Sequence, residues 1–140
     1  MITLDAPKLS EELNLLEVLE TDLGAIYIYD SIIMMEGKEN VTISFRTGIF
    51  ILLKLISLVK TRPVVYISHR INSYAVDPND YKYLDMIPNL KGIAVVSYSD
   101  FGQETAQLEK RFYKKPFKCF TSLSEAEKWA KDLHHDLAIV

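Results

Sequence analysis

The sequence predicts an α/β fold: a mixed β-sheet that opens with an N-terminal antiparallel hairpin, continues as parallel β-α-β units, and carries about four helices. Three observations predict it. Val64-Val65-Tyr66-Ile67 is an unbroken apolar, β-branched and aromatic run, the composition of a strand covered on both faces. Ile93–Tyr98 repeats that composition farther along the chain. Strong helix starts follow these runs. In Asp77-Pro78-Asn79-Asp80, Asp77 caps, Pro78 suits the first helical position and Asp80 adds an acid in the first turn. Ser122-Leu123-Ser124-Glu125 is a capping box.

Taken in order, residues 1–14 are acidic, contain Pro7 and read as an extended lead-in. Leu15–Thr21 alternates enough for a strand, Asp22-Leu23-Gly24 is a turn, and Ala25–Met35, rich in Ile and Tyr, reads as one longer strand that completes the hairpin. Gly37-Lys38-Glu39-Asn40 is a loop and Val41–Ser44 a brief extended piece. Ser44 or Thr47 starts a helix that runs to about Lys60, where Arg62-Pro63 ends it. Thr47, Lys54, Ser57 and Thr61 form a narrow wet stripe interrupted by Phe50, and nearly everything else from Ile49 to Val59 is apolar.

The buried run at Val64 gives way at Ser68 to a polar loop, and a short helix is expected from Pro78 to about Asp85, because Pro88 disfavours helical geometry at Ile87. Asn89-Leu90-Lys91-Gly92 reads as a turn before the strand at Ile93. Asp100 then caps a helix reaching to about Tyr113, with Phe101, Thr105, Leu108 and Phe112 on one face. Phe117–Thr121 is a short strand, and the last helix carries a core stripe of Ala126, Trp129, Ala130 and Leu133 before a tail at Asp136–Val140. With no repeat, low-complexity tract or linker, the 140 residues read as one domain.

Composition narrows the function classes. Apolar content of 49% and charged content of 25% are ordinary for a globular protein. The net charge of −3 gives no broad attraction for nucleic acid, although nine acids and two bases fall in residues 1–40 and ten acids and fourteen bases in the rest. The single cysteine, Cys119, forbids an internal disulfide and points to a reducing, cytoplasmic setting. The N-terminus lacks the pattern of a signal peptide, and the apolar stretch Ile49–Val59 contains Lys54 and is too short for a transmembrane segment.

The strongest candidate site follows the buried run at Val64. His69 and Arg70 stand where open α/β sheets place ligands, and Arg70 with the helix start at Asp77 forms a setting for an anion. The competing structural role pairs Arg70 with Asp77 or Asp80. His69 with Asp80 or Asp100 would make a general base, yet no nucleophile is legible beside them. Ser68, Ser73 and Ser97 complete the candidate ligand-binding set, and Ser73 is also a candidate phosphosite. The broad apolar helix offers Ile49, Phe50, Leu53 and Ile56 either to the core or to an interface. Lys110–Lys118 holds five cations with interleaved aromatics, a setting for an acidic surface or for a helix C-terminus with Phe112 in the core. Ser57-Leu58-Val59-Lys60 has no companion motif, adjacent His134 and His135 do not share a helix face as metal ligands would, and Cys119 reads as a small core residue. No metal or cofactor motif is present.

The element order, the run Pro63–Tyr81 (PVVYISHRINSYAVDPNDY), Asn89–Ser97 (NLKGIAVVS) and Ser124–Ala130 (SEAEKWA) together resemble the bacterial SpoIIAA-like proteins of the STAS/Sec14-type fold, small uncharacterised members in particular, over roughly Leu15 to Leu133. Anti-sigma-factor antagonists of this fold bind a kinase partner and are switched by phosphorylation of a serine in an Asp-Ser-Ser-Gly or Asp-Thr-Ser-Gly motif. The sequence lacks that motif: Ser73 lies in the related region but is followed by Tyr74-Ala75. Lipid-carrying Sec14-type relatives are larger and enclose a deep apolar cavity, which is not expected at this length. The resemblance therefore implies a non-enzymatic cytoplasmic domain that acts through association with a protein partner or as a homodimer. The alternative is a binder of a small anionic or lipid-like ligand at the C-terminal edge of the parallel strands, and a third reading is a small hydrolase.

Overall fold

The computed structural model describes residues 9–10 and 13–139, with side chains through residue 135; the expected lead-in therefore lies largely outside the described residues. Six strands form the main sheet: β1 (Leu15–Thr21), β2 (Gly24–Tyr29), β3 (Ile32–Gly37), then β5 (Val64–Arg70), β7 (Leu90–Ser97) and β8 (Phe117–Phe120), in the order β1-β2-β3-β5-β7-β8. The first three are antiparallel, and β3, β5, β7 and β8 run parallel to one another. Two short strands, β4 (Thr42–Ile43) and β6 (Ala75–Val76), pair separately in parallel. The helices are α1 (Phe45–Val59), α2 (Tyr81–Asp85), α3 (Asp100–Glu109) and α4 (Leu123–Ile139). The fold class read from the sequence is the one observed.

Several boundaries differ from expectation. Ala25–Met35 is two strands, broken by a turn at Asp30-Ser31, so the antiparallel part is a three-stranded meander. Both strands are buried on both faces, so no alternation marked the break, and only the turn chemistry of Asp-Ser did. β5 continues through Ser68, His69 and Arg70, which keep their place in the ladder because each side chain finds a polar partner. β7 begins at Leu90 rather than after a turn at Gly92. The helix that Asp100 was expected to cap is capped instead by Ser99, whose hydroxyl accepts the Gly102 amide at 3.0 Å, and Asp100 is its first residue. Phe101 and Leu108 point outward, while Ala106 and Glu109 turn toward the sheet. α4 extends to Ile139, replacing the expected tail.

Strand alternation sorts the side chains onto two faces. Ala25, Tyr27, Tyr29, Ile32, Met34, Val65, Ile67, Ala94 and Val96 face one way and pack with Ala126 and Ala130 of α4. The predicted stripe of α4 is thus the one used, with Trp129 and Leu133 at its margin. Gly92 permits the close approach: a Cβ there would lie 2.5 Å from Leu133 Cδ2. Glu127 ties α4 to the N-terminal segment, accepting from the Ser10 amide at 2.9 Å and hydroxyl at 2.6 Å, with Lys131 Nζ at 2.9 Å. Burial works to raise its pKa, but the two Ser10 donors and Lys131 hold the carboxyl below its ordinary value.

The opposite face is covered by α1, α2 and α3. Ile93 and Val95 pack with Tyr81 and Ala106. Ile26, Ile28, Ile33, Met35 and Val64 face α1. No helix among the described residues is long and apolar enough to cross a membrane.

Candidate functional site

Both ends of α1 are held down. At its start Ser44 and Thr47 form a reciprocal capping box, so both expected caps act together. The Asp80 carboxylate accepts the Phe45 amide at 2.7 Å, and the Phe45 and Tyr83 rings meet with centroids 4.2 Å apart. At its end Asn89 Nδ2 donates to the Lys60 and Arg62 carbonyls at 3.1 and 2.9 Å. Between these anchors only Val59 of the helix is fully buried. The span stands off the sheet and leaves a cavity of about 190 Å³ beneath it.

The cavity floor is Ile26, Ile33, Met35 and Val64, and its roof is Ile51, Leu52 and Leu55. An apolar cavity therefore exists in a chain of this length, contrary to expectation. Of the four candidate interface residues, Ile49 and Ile56 line it. Phe50 and Leu53 are not among the lining residues; they are 83% and 54% exposed. Helix α1 thus has apolar groups on both its sides, which is why its wet stripe was narrow.

One end of the cavity, at the C-terminal end of β5, is polar. Ser68, Arg70, Tyr74 and Tyr81 reach it. Ser68 Oγ lies 2.9 Å from Tyr74 Oη and accepts from Arg70 Nε at 3.0 Å. Arg70 Nη1 and Nη2 donate to the two Glu109 oxygens at 2.7 and 2.6 Å, and Tyr81 donates to the same carboxylate at 2.6 Å. Burial opposes the Arg70 charge, but Glu109 holds the guanidinium protonated beyond its ordinary range. Burial, reinforced by Glu109, pushes the Tyr81 phenol up. The expected pairing of Arg70 with Asp77 or Asp80 is not made: Asp77 caps the following turn through the Asn79 amide, and Asp80 caps α1. Glu109 was missed because its burial depends on which face of α3 meets the sheet.

His69 lies on the other face of β5 and shares no site with Arg70. Consecutive strand residues point to opposite faces, so adjacency in sequence separated them. Its partner is neither Asp80 nor Asp100. Nδ1 lies 2.8 Å from Glu36 Oε2, and Nε2 lies 2.7 Å from Tyr98 Oη. The register explains the cluster: β3 pairs Met35 with Ser68 and β7 pairs Val96 with His69, so Glu36, His69 and Tyr98 fall in one row at the carboxyl edge. The sequence marked these strand ends as polar, but not their alignment.

The remaining candidates are dispersed. Ser97 is buried beneath α3, where a Cβ on Gly102 would collide with its hydroxyl. Ser73 is exposed on the loop after β5, and its carbonyl accepts the Asn40 amide at 2.8 Å. With Arg70 committed to Glu109, the expected counter-charge for a phosphate at Ser73 is engaged elsewhere. Phe112 is exposed rather than in the core, and Cys119 is half-buried, its thiol pushed up by burial. No group of three potential metal-ligating side chains gathers among the described residues.

Among solved structures, an uncharacterised protein of the DUF3478 family with a SpoIIAA-like fold, from Shewanella loihica PV-4, superposes on 89% of this chain and 99% of its own with a TM-score of 0.51 at 11% identity. The fold is SpoIIAA-like. That likeness carries the architecture alone, in agreement with the resemblance read from Pro63–Tyr81. No family model matches the chain, and no curated protein is similar to it in sequence.

Proposed function

We propose that this SpoIIAA-like domain is a non-enzymatic, cytoplasmic binder of a small apolar molecule, held between α1 and the sheet. The observation that carries this reading is the cavity of about 190 Å³, apolar between floor and roof and polar at one end, under a helix pinned at both ends. An apolar protein cavity of ~150 Å³ stays dry and admits benzene or xenon. The space beneath α1 therefore suits an aromatic ring or a short alkyl chain, smaller than a whole lipid. The polar end favours an uncharged head group. Glu109 already neutralises Arg70, so an anion arriving there would meet a compensated charge.

Calorimetric titration with benzyl alcohol and with short-chain alcohols tests the reading. Binding is expected in the wild type and is expected to be lost in Ile33→Phe, which fills the floor. Equal heats in both proteins would reject it.

A second reading is association through the outer side of α1. Phe50 and Leu53 favour it, since two large apolar side chains project from the same helix into solvent. Sedimentation equilibrium of wild type against Phe50→Ser distinguishes self-association from a monomer.

A further inference from the structure

We propose that Glu36, His69 and Tyr98 form a carboxylate–imidazole–phenol relay that makes the Tyr98 oxygen a nucleophile toward activated acyl esters, so that Tyr98 is an acylation site. This site lies on the α4-facing side of the sheet, away from the cavity, and it does not depend on what the cavity binds.

The geometry fixes each role. Glu36 and His69 are buried, whereas Tyr98 is 57% exposed, so the relay begins inside the fold and ends at solvent. The Glu36 carboxylate can only accept, so Nδ1 carries the imidazole proton at the 2.8 Å contact. In the neutral ring Nε2 is then the acceptor, and the Tyr98 hydroxyl donates to it at 2.7 Å. The imidazole and phenol rings meet edge-on, with centroids 5.7 Å apart. Burial, with Glu36 adding to it, pushes the Tyr98 phenol up. At neutral pH the phenol keeps its proton, and a nearby base must take it at the moment of attack.

The step balances without redox chemistry. The Tyr98 oxygen bonds to the ester carbonyl carbon while its proton passes to His69 Nε2. The bond from that carbon to the leaving oxygen breaks, and the leaving alkoxide or phenoxide takes the proton from Nε2. The products are acyl-Tyr98 and a free alcohol or phenol. Glu36 acts as a positioning residue, holding the tautomer that leaves Nε2 free.

The probe is p-nitrophenyl acetate on the full chain, followed by peptide mapping for one added acetyl group on Tyr98. Acetylation of Tyr98 is expected about 100-fold faster than of N-acetyltyrosinamide, and about 100-fold faster than in a folded His69→Gln variant. In a folded Glu36→Gln variant Tyr98 acetylation is expected to slow, and Glu36→Asp is expected to restore part of the rate, a rescue by the retained carboxylate that a purely structural contact would not show. An unlabelled Tyr98, or one that reacts no faster than N-acetyltyrosinamide, overturns the proposal even if His69→Gln does not fold. So does equal labelling in a folded His69→Gln protein.

Discussion

Arg70 and Glu109 make a two-pronged ion pair, with Arg70 Nη1 and Nη2 at 2.7 and 2.6 Å from the two carboxylate oxygens, that bolts the end of β5 to α3. The Glu109 side chain is only 3% exposed, so loss of either partner strands a charge inside the fold. Glu109→Ala is expected to cost about 3–5 kcal/mol, and Arg70→Met in the same chain to recover part of it. Urea unfolding of the two single variants and the double variant checks this; additive losses would show that the groups do not act as a pair.

Glu127 gives the fold an acid-sensitive clasp. Its carboxyl titrates below the ordinary glutamate value in the folded chain, so its contribution is complete above that value and is lost as pH falls through the depressed one. Glu127→Gln is expected to cost about 1–2 kcal/mol at neutral pH. Melting temperatures of wild type and variant, measured from neutral pH downward, are expected to converge only as pH falls through that depressed value. A gap that stays constant would separate the clasp from this ionisation.

Gly48 sits inside α1 with space beside it, since an added Cβ would meet its nearest neighbour, Leu23 Cδ1, at 3.8 Å. Gly48→Ala is therefore expected to stabilise the protein by about 0.5–1 kcal/mol through helix propensity. Thermal unfolding reads the gain. A loss would mean that α1 needs local flexibility at this point.

Tyr113 is buried between Tyr81 and Phe117, and its hydroxyl has no hydrogen-bond partner among the described residues. Burial, with Asp85 adding to it, pushes that phenol up. Tyr113→Phe keeps the ring packing and removes the orphan, so a gain of about 1 kcal/mol is expected in chemical denaturation.

The residues that announced the fold were those whose local chemistry agrees with the tertiary structure. Val64–Ile67, the Ser122 hydroxyl that accepts the Glu125 amide and the Ala126-Trp129-Ala130-Leu133 stripe occupy the roles their patterns imply. The site was less legible because it depends on pairing between distant strands. Nothing local to His69 names Glu36 or Tyr98; the register of β3, β5 and β7 brings them together. The same holds for Arg70, whose partner is 39 residues away on α3. The cavity was hidden for a different reason. The apolar breadth of Ile49–Val59 was visible, but how far a helix stands from its sheet is a matter of its end anchors, Asp80 and Asn89, and not of its own composition.

A crystal structure under xenon pressure tests the central claim most directly, because xenon enters preformed apolar cavities without needing a chosen ligand. The account predicts anomalous density between Ile33 on the sheet and Leu55 on α1, with the helix anchored at Asp80 and Asn89. A helix seated directly on β2, β3 and β5, with no xenon beneath it, would contradict it.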